Sequence, residues 1–380
     1  MPISKYSVSV SIMAHPSRSA AAEQLRSSFQ QFEARICYDP DPCGERSTLR
    51  TARLAWRPWS EEVTHHLVLQ DDVTLTEDFE TCLLRVIEQE PDAALGLFSE
   101  WGSYTSYAVR LALLSGHAWT ESVDSYFPTV AAVLPCAVAR GLATHLGTAE
   151  GGIDDVEAFS FLSGVEGLRS LVTIPHLVQH DGDVSLVGNE AHGVRRATVF
   201  DAGMRLDASW WQRPRLEGIR RIAVLNFAHE QPLALDRSRP GCGRGDKSDL
   251  GAGFADCVSR NDIEEVWRPL LRGAKWIGRS EGLNRRFEYL VEVAAYTALA
   301  VADVDTGVDD VLGDHERLCR LVIGSWAPGV MRLHSGFRPA DDSDRAEACL
   351  RETVDSLLEA QRTKVLPALT IRQPTPRAST

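Results

Sequence analysis

The sequence predicts an α/β fold: a mostly parallel, mixed sheet flanked by helices, followed by a mainly helical C-terminal region. Short apolar runs alternate with amphipathic ones as far as about His180, and several of those runs end on polar or acidic residues. Past Phe200 the character changes: a Gly-rich stretch intervenes, and from about residue 258 the apolar residues recur at helical spacing.

The first strand is YSVSVSIM, residues 6–13, in which Tyr6, Val8, Val10 and Ile12 alternate with serines small enough to sit under a covering helix. A helix from Ser19 to Phe32 follows, with Ala22, Leu25, Phe29 and Phe32 on one stripe. ARICYDP is a second strand ending at Asp39, and Pro40 to Ser47 is turn-rich. THHLVLQDD is a third strand, centred on Leu67 to Leu69, that runs straight into acids. Thr76 is expected to cap the next helix, with Glu77 and Asp78 in its first turn and Phe79, Leu83 and Val86 on its buried side. AALGLFS is a fourth strand, then come a helix over Ser106–Leu114, a strand over Thr129–Leu134 and a helix after Pro135. GGIDDVEAFSFL reads as a Gly-rich turn feeding a short helix, and SLVTIPHLVQHDG as one strand stopping at His180.

These elements divide the chain into an α/β domain over 1–200, a linker and mobile loop over 201–257, and a helical domain over 258–380. The linker rests on the Gly-rich stretch RPGCGRGDKSDLGAG, and residues 202–236 show no readable period. Within the last part, 258–300 and 343–365 read as helical, with QPTPRAST a frayed tail.

Composition narrows the function classes. At 44% hydrophobic and 24% charged residues the chain is globular rather than disordered. A net charge of -13, from 40 Lys plus Arg against 53 Asp plus Glu, argues against a nucleic-acid partner. The eight cysteines form no CxxC pair, so neither a zinc knuckle nor an oxidising compartment is implied. The opening residues lack the apolar run of a signal peptide, and no stretch is apolar enough to span a membrane, so a cytoplasmic enzyme is expected.

Three motifs are placed to carry chemistry. In LVLQDDV, a buried strand delivers Asp71 and Asp72 over a sheet edge, where hard divalent cations accept carboxylates together with phosphate oxygens and water. In HLVQHDGDVSL, His180 follows an apolar strand and is placed to complete such a site, while Asp181 and Asp183 shape the turn. In GGIDDVEAF, Asp154 and Asp155 open a helix, and one of them is placed to accept a proton from an attacking hydroxyl. Plain structural readings stand beside each: a solvated acidic turn, a hydrogen-bonded strand-end histidine, and an N-cap with a first-turn acid. Supporting candidates are His15 and Arg18 for a nucleotide and its phosphates, Asp39 for base or ribose, Arg53 for phosphate, and Trp101 for a sugar face.

The order of MAHPSR, HHLVLQDDV, DDVEAF and PHLVQHDGDVSLVGN resembles that of GT-A fold glycosyltransferases over about residues 5–200. The resemblance implies a nucleotide-sugar donor whose diphosphate is held by Mn2+ or Mg2+ on Asp72 and Asp71, with His180 as a further ligand. Gln70 stands where the first acid of the family triplet is usual. It also implies Asp155, with Asp154 in reserve, as the base of an inverting transfer, and a nucleotide held near Arg18 and Asp39. The C-terminal half carries no such resemblance and is read as covering the acceptor or building an oligomer; the Ala- and Arg-rich composition suggests a bacterial chain. Two alternatives remain open: a nucleotidyltransferase, against which the glycine-free AHPSRSAAAEQ counts, and a non-catalytic nucleotide- or sugar-binding scaffold, which Gln70 keeps alive.

Overall fold

A computed structural model describes residues 5–182, 193–219, 221–226, 231–237, 247–249, 281–304, 313–333 and 337–362. Nine strands and six helices build the first half. The strands are β1 (Val8–Ala14), β2 (Ala34–Tyr38), β3 (His65–Gln70), β4 (Val73–Leu75), β5 (Ala94–Gly96), β6 (Trp119–Glu121), β7 (Ala131–Pro135), β8 (Ser170–Thr173) and β9 (Val178–His180). The helices are α1 (Ser19–Ser28), α2 (Leu49–Ala55), α3 (Phe79–Gln89), α4 (Tyr104–Leu114), α5 (Cys136–Thr148) and α6 (Asp154–Leu162). Seven strands form one sheet in the order β2-β1-β3-β7-β5-β8-β6, while β4 and β9 pair separately.

The sheet is evenly mixed rather than mostly parallel. β1–β2, β1–β3 and β5–β8 are parallel, whereas β3–β7, β5–β7 and β6–β8 are antiparallel. A strand buried on both faces reads as an apolar run whichever way it points, so the sequence pattern did not register the reversal of β7. β1 explains why both faces are covered. Val8, Val10 and Ile12 join one core cluster with α1, α3 and α4, each side chain stabilising the fold by about 1.5–3 kcal/mol. Met13 joins the opposite cluster with α2, α5 and α6. Ser9 and Ser11 are buried as the alternation requires, and Ser9 Oγ lies 2.7 Å from His66 Nδ1.

Three local expectations are corrected. The run SLVTIPHLVQH is two strands: Pro175, which has no N–H to give a ladder, separates β8 in the main sheet from β9 on β4. Helix α3 begins at Phe79 with Asp78 at the cap position, so Thr76 does not cap it. Residues 201–257, read as linker, include folded elements: α7 (Ala208–Trp211), then β10 (Arg221–Asn226), β11 (Gln231–Asp236) and β12 (Lys247–Asp249) in an antiparallel sheet. Asp207 caps α7 by accepting from Ser209 N–H and Trp210 N–H, and both tryptophans of that turn are buried. Most of the Gly-rich stretch, and residues 258–280, lie outside the described residues.

The C-terminal region is helical, as expected: α8 (Glu281–Asp303), α9 (Gly313–Gly324), α10 (Trp326–Met331) and α11 (Pro339–Arg362). One hydrophobic cluster runs from β1 through α4 and β10 into α8 and α11, so these helices share the core of the sheet. No helix among the described residues is long and apolar enough to cross a membrane.

Candidate functional site

Because β1, β2 and β3 are parallel, their carboxyl ends share one edge, the usual place for ligands in such sheets. Ala14, Gln70 and Tyr38 thus deliver His15, the Asp71–Asp72 pair and Asp39 to that edge. The small β4–β9 ladder adds the distant residue. Its register sets Val73 opposite His180, which brings His180 Nε2 to 3.5 Å from Asp72 Oδ2. The backbone tightens the contact: Asp181 N–H donates to Asp72 O at 2.8 Å. A Cβ added at Gly182 would stand 2.9 Å from Asp72 Cγ, so a larger residue there would have to displace this carboxylate.

The two adjacent acids have different surroundings. Asp71 accepts from His15 N–H at 3.0 Å and from Arg18 Nη1 at 3.2 Å. Burial pushes its carboxyl above the ordinary range, His15 N–H and Arg18 pull it back, and the Asp72 charge adds to the rise. Asp72 Oδ2 accepts from Arg18 Nη1 at 2.6 Å, while Asp72 Oδ1 is buried with no hydrogen-bond partner.

His180 is 2% exposed, and its tautomer follows from its neighbours. Nδ1 lies 3.0 Å from the Arg195 carbonyl, which can only accept, so Nδ1 carries the proton. Burial lowers the imidazole pKa from its ordinary value against the pull of Asp72, which favours the neutral ring. Nε2 therefore presents a lone pair toward a carboxylate, with no hydrogen-bond partner of its own. Asp72 Oδ2 is satisfied by Arg18, but Nε2 and Asp72 Oδ1 are orphaned, and each orphaned buried acceptor costs about 1–3 kcal/mol. A cation held by His180 and Asp72 would remove that cost. One imidazole nitrogen and one carboxylate fit a manganese or magnesium ion that completes its shell with phosphate oxygens and water. Among the described residues, no group of three His, Cys, Asp or Glu side chains converges to hold a metal. Of the three expected ligands, Asp72 and His180 meet, and Asp71 is engaged by His15 and Arg18.

The nucleotide-side candidates are partly regrouped. Asp39 accepts from Arg50 Nε and Nη2, both at 3.0 Å, and these bonds hold its carboxyl below the usual range. Arg50 also donates to the Glu45 and Asp41 carbonyls, which folds the 39–45 turn around it. Sequence reasoning chose Arg53 instead. Arg53 lies on the side of α2 facing α5 and donates to the Leu146 and Ala149 carbonyls at the end of that helix. One turn separates the two arginines, and the signal missed was Arg50 at bridging distance from Asp39. His15 caps the one-turn helix Pro16–Arg18 through Ser17 and presents Nε2 toward Pro42 O at 3.5 Å.

A second group gathers around α6. Ile153 occupies the cap position, so Asp154 and Asp155 both lie in the first turn. Asp154 is 2% exposed; burial raises its pKa, opposed by the Thr48 and Thr129 hydroxyls. Asp155 is half-buried, with Oδ1 lacking a hydrogen-bond partner, and its pKa is pushed up to about 6 by burial first and by the Asp154 charge second. The Arg195 charge lowers the pKa of both Asp155 and His180. Tyr126 lies among Asp124, Glu100 and Asp155, and with burial they raise its pKa well above the ordinary value. Trp101 is committed to the protein. Its indole N–H donates to Val194 O at 3.1 Å, and its carbonyl accepts from Arg110 Nη2 at 2.9 Å. The ring packs against Gly329 of α10, where an added Cβ would stand 2.8 Å from Trp101 Cγ.

Comparison of the chain with protein-family models and with curated proteins gives no match.

Proposed function

We propose that the protein is a nucleotide-sugar-dependent glycosyltransferase whose donor diphosphate binds at the Asp72–His180 edge with a divalent cation. The observation that carries this reading is His180 Nε2 facing Asp72 Oδ2 at 3.5 Å without a hydrogen-bond partner, with Asp72 Oδ1 orphaned beside it. A bound divalent cation would supply positive charge against the departing diphosphate. Arg18 offers a second, planar cation at the same edge. Asp155, with a pKa near 6, is ionised at neutral pH yet basic enough to take a proton from an acceptor hydroxyl. Attack by that hydroxyl on the anomeric carbon opposite the leaving nucleotide inverts the configuration. The -13 charge is consistent with a small or neutral acceptor rather than nucleic acid.

A second reading is favoured by one contact, the 2.6 Å Arg18–Asp72 bond: the guanidinium itself stands in for the metal, and donor binding needs no cation. One titration separates the two. UDP-, GDP- and dTDP-sugars are titrated into wild type and Asp72→Asn, with and without manganese. The metal reading expects one nucleotide to bind tightly only with manganese and only to wild type. Equal binding without metal moves the assignment to the second reading, and no binding of any donor removes both.

A further inference from the structure

The Asp72 oxygen nearest His180 already has a cation on it. Arg18 Nη1 sits 2.6 Å from Asp72 Oδ2, and Oδ2 is the atom 3.5 Å from His180 Nε2. Arg18 also reaches Asp71 Oδ1 at 3.2 Å, so one guanidinium nitrogen neutralises both acids at this edge. The two acids are nearly closed off, with side chains 6% and 16% exposed, whereas Arg18 is 23% exposed. It stands at the end of a one-turn helix, on a long side chain. Asp71 has a fixed donor besides Arg18, the His15 N–H. Asp72 Oδ2 has Arg18 as its hydrogen-bond donor, and Asp72 Oδ1 has none.

From this geometry we infer that Arg18 is an exchangeable counter-ion: it holds Asp72 until a divalent cation enters, and then transfers to the donor diphosphate. The inference rests on the metal-assisted reading above. A dication held by His180 and Asp72 would compete with the guanidinium for the Asp72 carboxylate, and like charges at that distance repel. Metal alone therefore binds against the loss of the Arg18–Asp72 pair. A nucleoside diphosphate reverses the balance, because it gives the displaced guanidinium a phosphate partner that its planar fork matches. Metal and diphosphate then bind cooperatively, each strengthening the other by the same factor. Arg18 is a positioning residue in this scheme. It keeps the acids neutralised when the donor is absent and delays metal capture until the diphosphate arrives.

The test is manganese binding to the full chain, read from the electron paramagnetic resonance of free Mn2+. Wild type, Arg18→Gln and Arg18→Lys are each measured alone and with UDP, GDP or dTDP. The expected result is weak manganese binding by wild type, strengthened about tenfold or more by one diphosphate. Arg18→Gln should bind manganese alone about tenfold more tightly and lose most of the strengthening, since a charge-assisted bond no longer opposes entry. Arg18→Lys keeps the charge and should stay within about threefold of wild type. If both variants bind manganese alone no better than wild type, while wild type with diphosphate still binds it, Arg18 is a fixed structural pair and the inference fails. Absence of manganese binding in wild type with every diphosphate removes the metal-assisted reading itself, and the inference with it.

Discussion

Replacing Asp155 by Asn should stabilise the fold at neutral pH. The carboxyl has an ordinary pKa of 3.8 and a folded value of about 6, set by burial and by the neighbouring Asp154 charge. At ~1.4 kcal/mol per pKa unit, the ionised form is disfavoured by about 3 kcal/mol in the folded protein relative to the open chain. Partial solvent access screens some of this, so a gain of about 1–2 kcal/mol is expected for the neutral amide. The sign fixes the pH window. Above pH 6 both folded and unfolded carboxyls are ionised and the full penalty is present. As pH falls from 6 to 3.8 the folded protein takes up its proton before the unfolded chain does, and the advantage of Asn disappears. Urea denaturation of wild type and Asp155→Asn at pH 7.5 and pH 4 measures both points. A variant that is destabilised at pH 7.5, or whose advantage is the same at both pH values, would refute the assignment of a strained carboxylate.

Three further outcomes follow from the same geometry. If Asp155 is the base, turnover of the identified donor should fall with pH through about 6, and Asp155→Asn should lower it about 10²–10⁴-fold with donor affinity nearly unchanged; a profile flat between pH 5 and 8 counts against it. Arg53→Ala should cost about 1–3 kcal/mol by removing two bonds to the end of α5, and should leave nucleotide affinity untouched; a specific loss of nucleotide binding would return Arg53 to the donor site. Gly329→Ala should destabilise by about 1–3 kcal/mol or more, because its Cβ would stand 2.6 Å from the Trp101 carbonyl oxygen, and calorimetric melting that matches wild type would show that α10 packs elsewhere.

The parts of the candidate site that are legible in the sequence share a feature: a strand that ends on the residue in question. Asp39, Asp71 and Asp72 follow β2 and β3 directly, and parallel pairing with β1 carries them to one edge without any long-range knowledge. His180 was legible as a strand end but not by its partner. Its place beside Asp72 depends on the three-residue β4–β9 ladder, and a strand as short as Val73–Leu75 has no periodicity to read. The Arg50/Arg53 exchange is a question of helix phase: three residues apart on α2, they turn toward different neighbours, Asp39 and the end of α5. Trp101 illustrates the limit reached by residue type alone. An aromatic in a loop after a strand suits a sugar platform, yet its N–H, its carbonyl and its ring meet Val194, Arg110 and Gly329, the last from the opposite end of the chain. The meander β10–β12 is not legible because β10 packs against α4 and α8, so inward and outward residues do not alternate cleanly: Ile222 to Asn226 are all buried.

The most direct test of sugar transfer does not need the acceptor. Wild type and Asp72→Asn are incubated with each of UDP-, GDP- and dTDP-sugars, with manganese or with chelator, and release of the nucleoside diphosphate is followed by chromatography. Slow release from one donor, present in wild type with manganese and lost with chelator or in Asp72→Asn, is the predicted result. Release that is indifferent to manganese and to Asp72, or absent for every donor, would contradict the account.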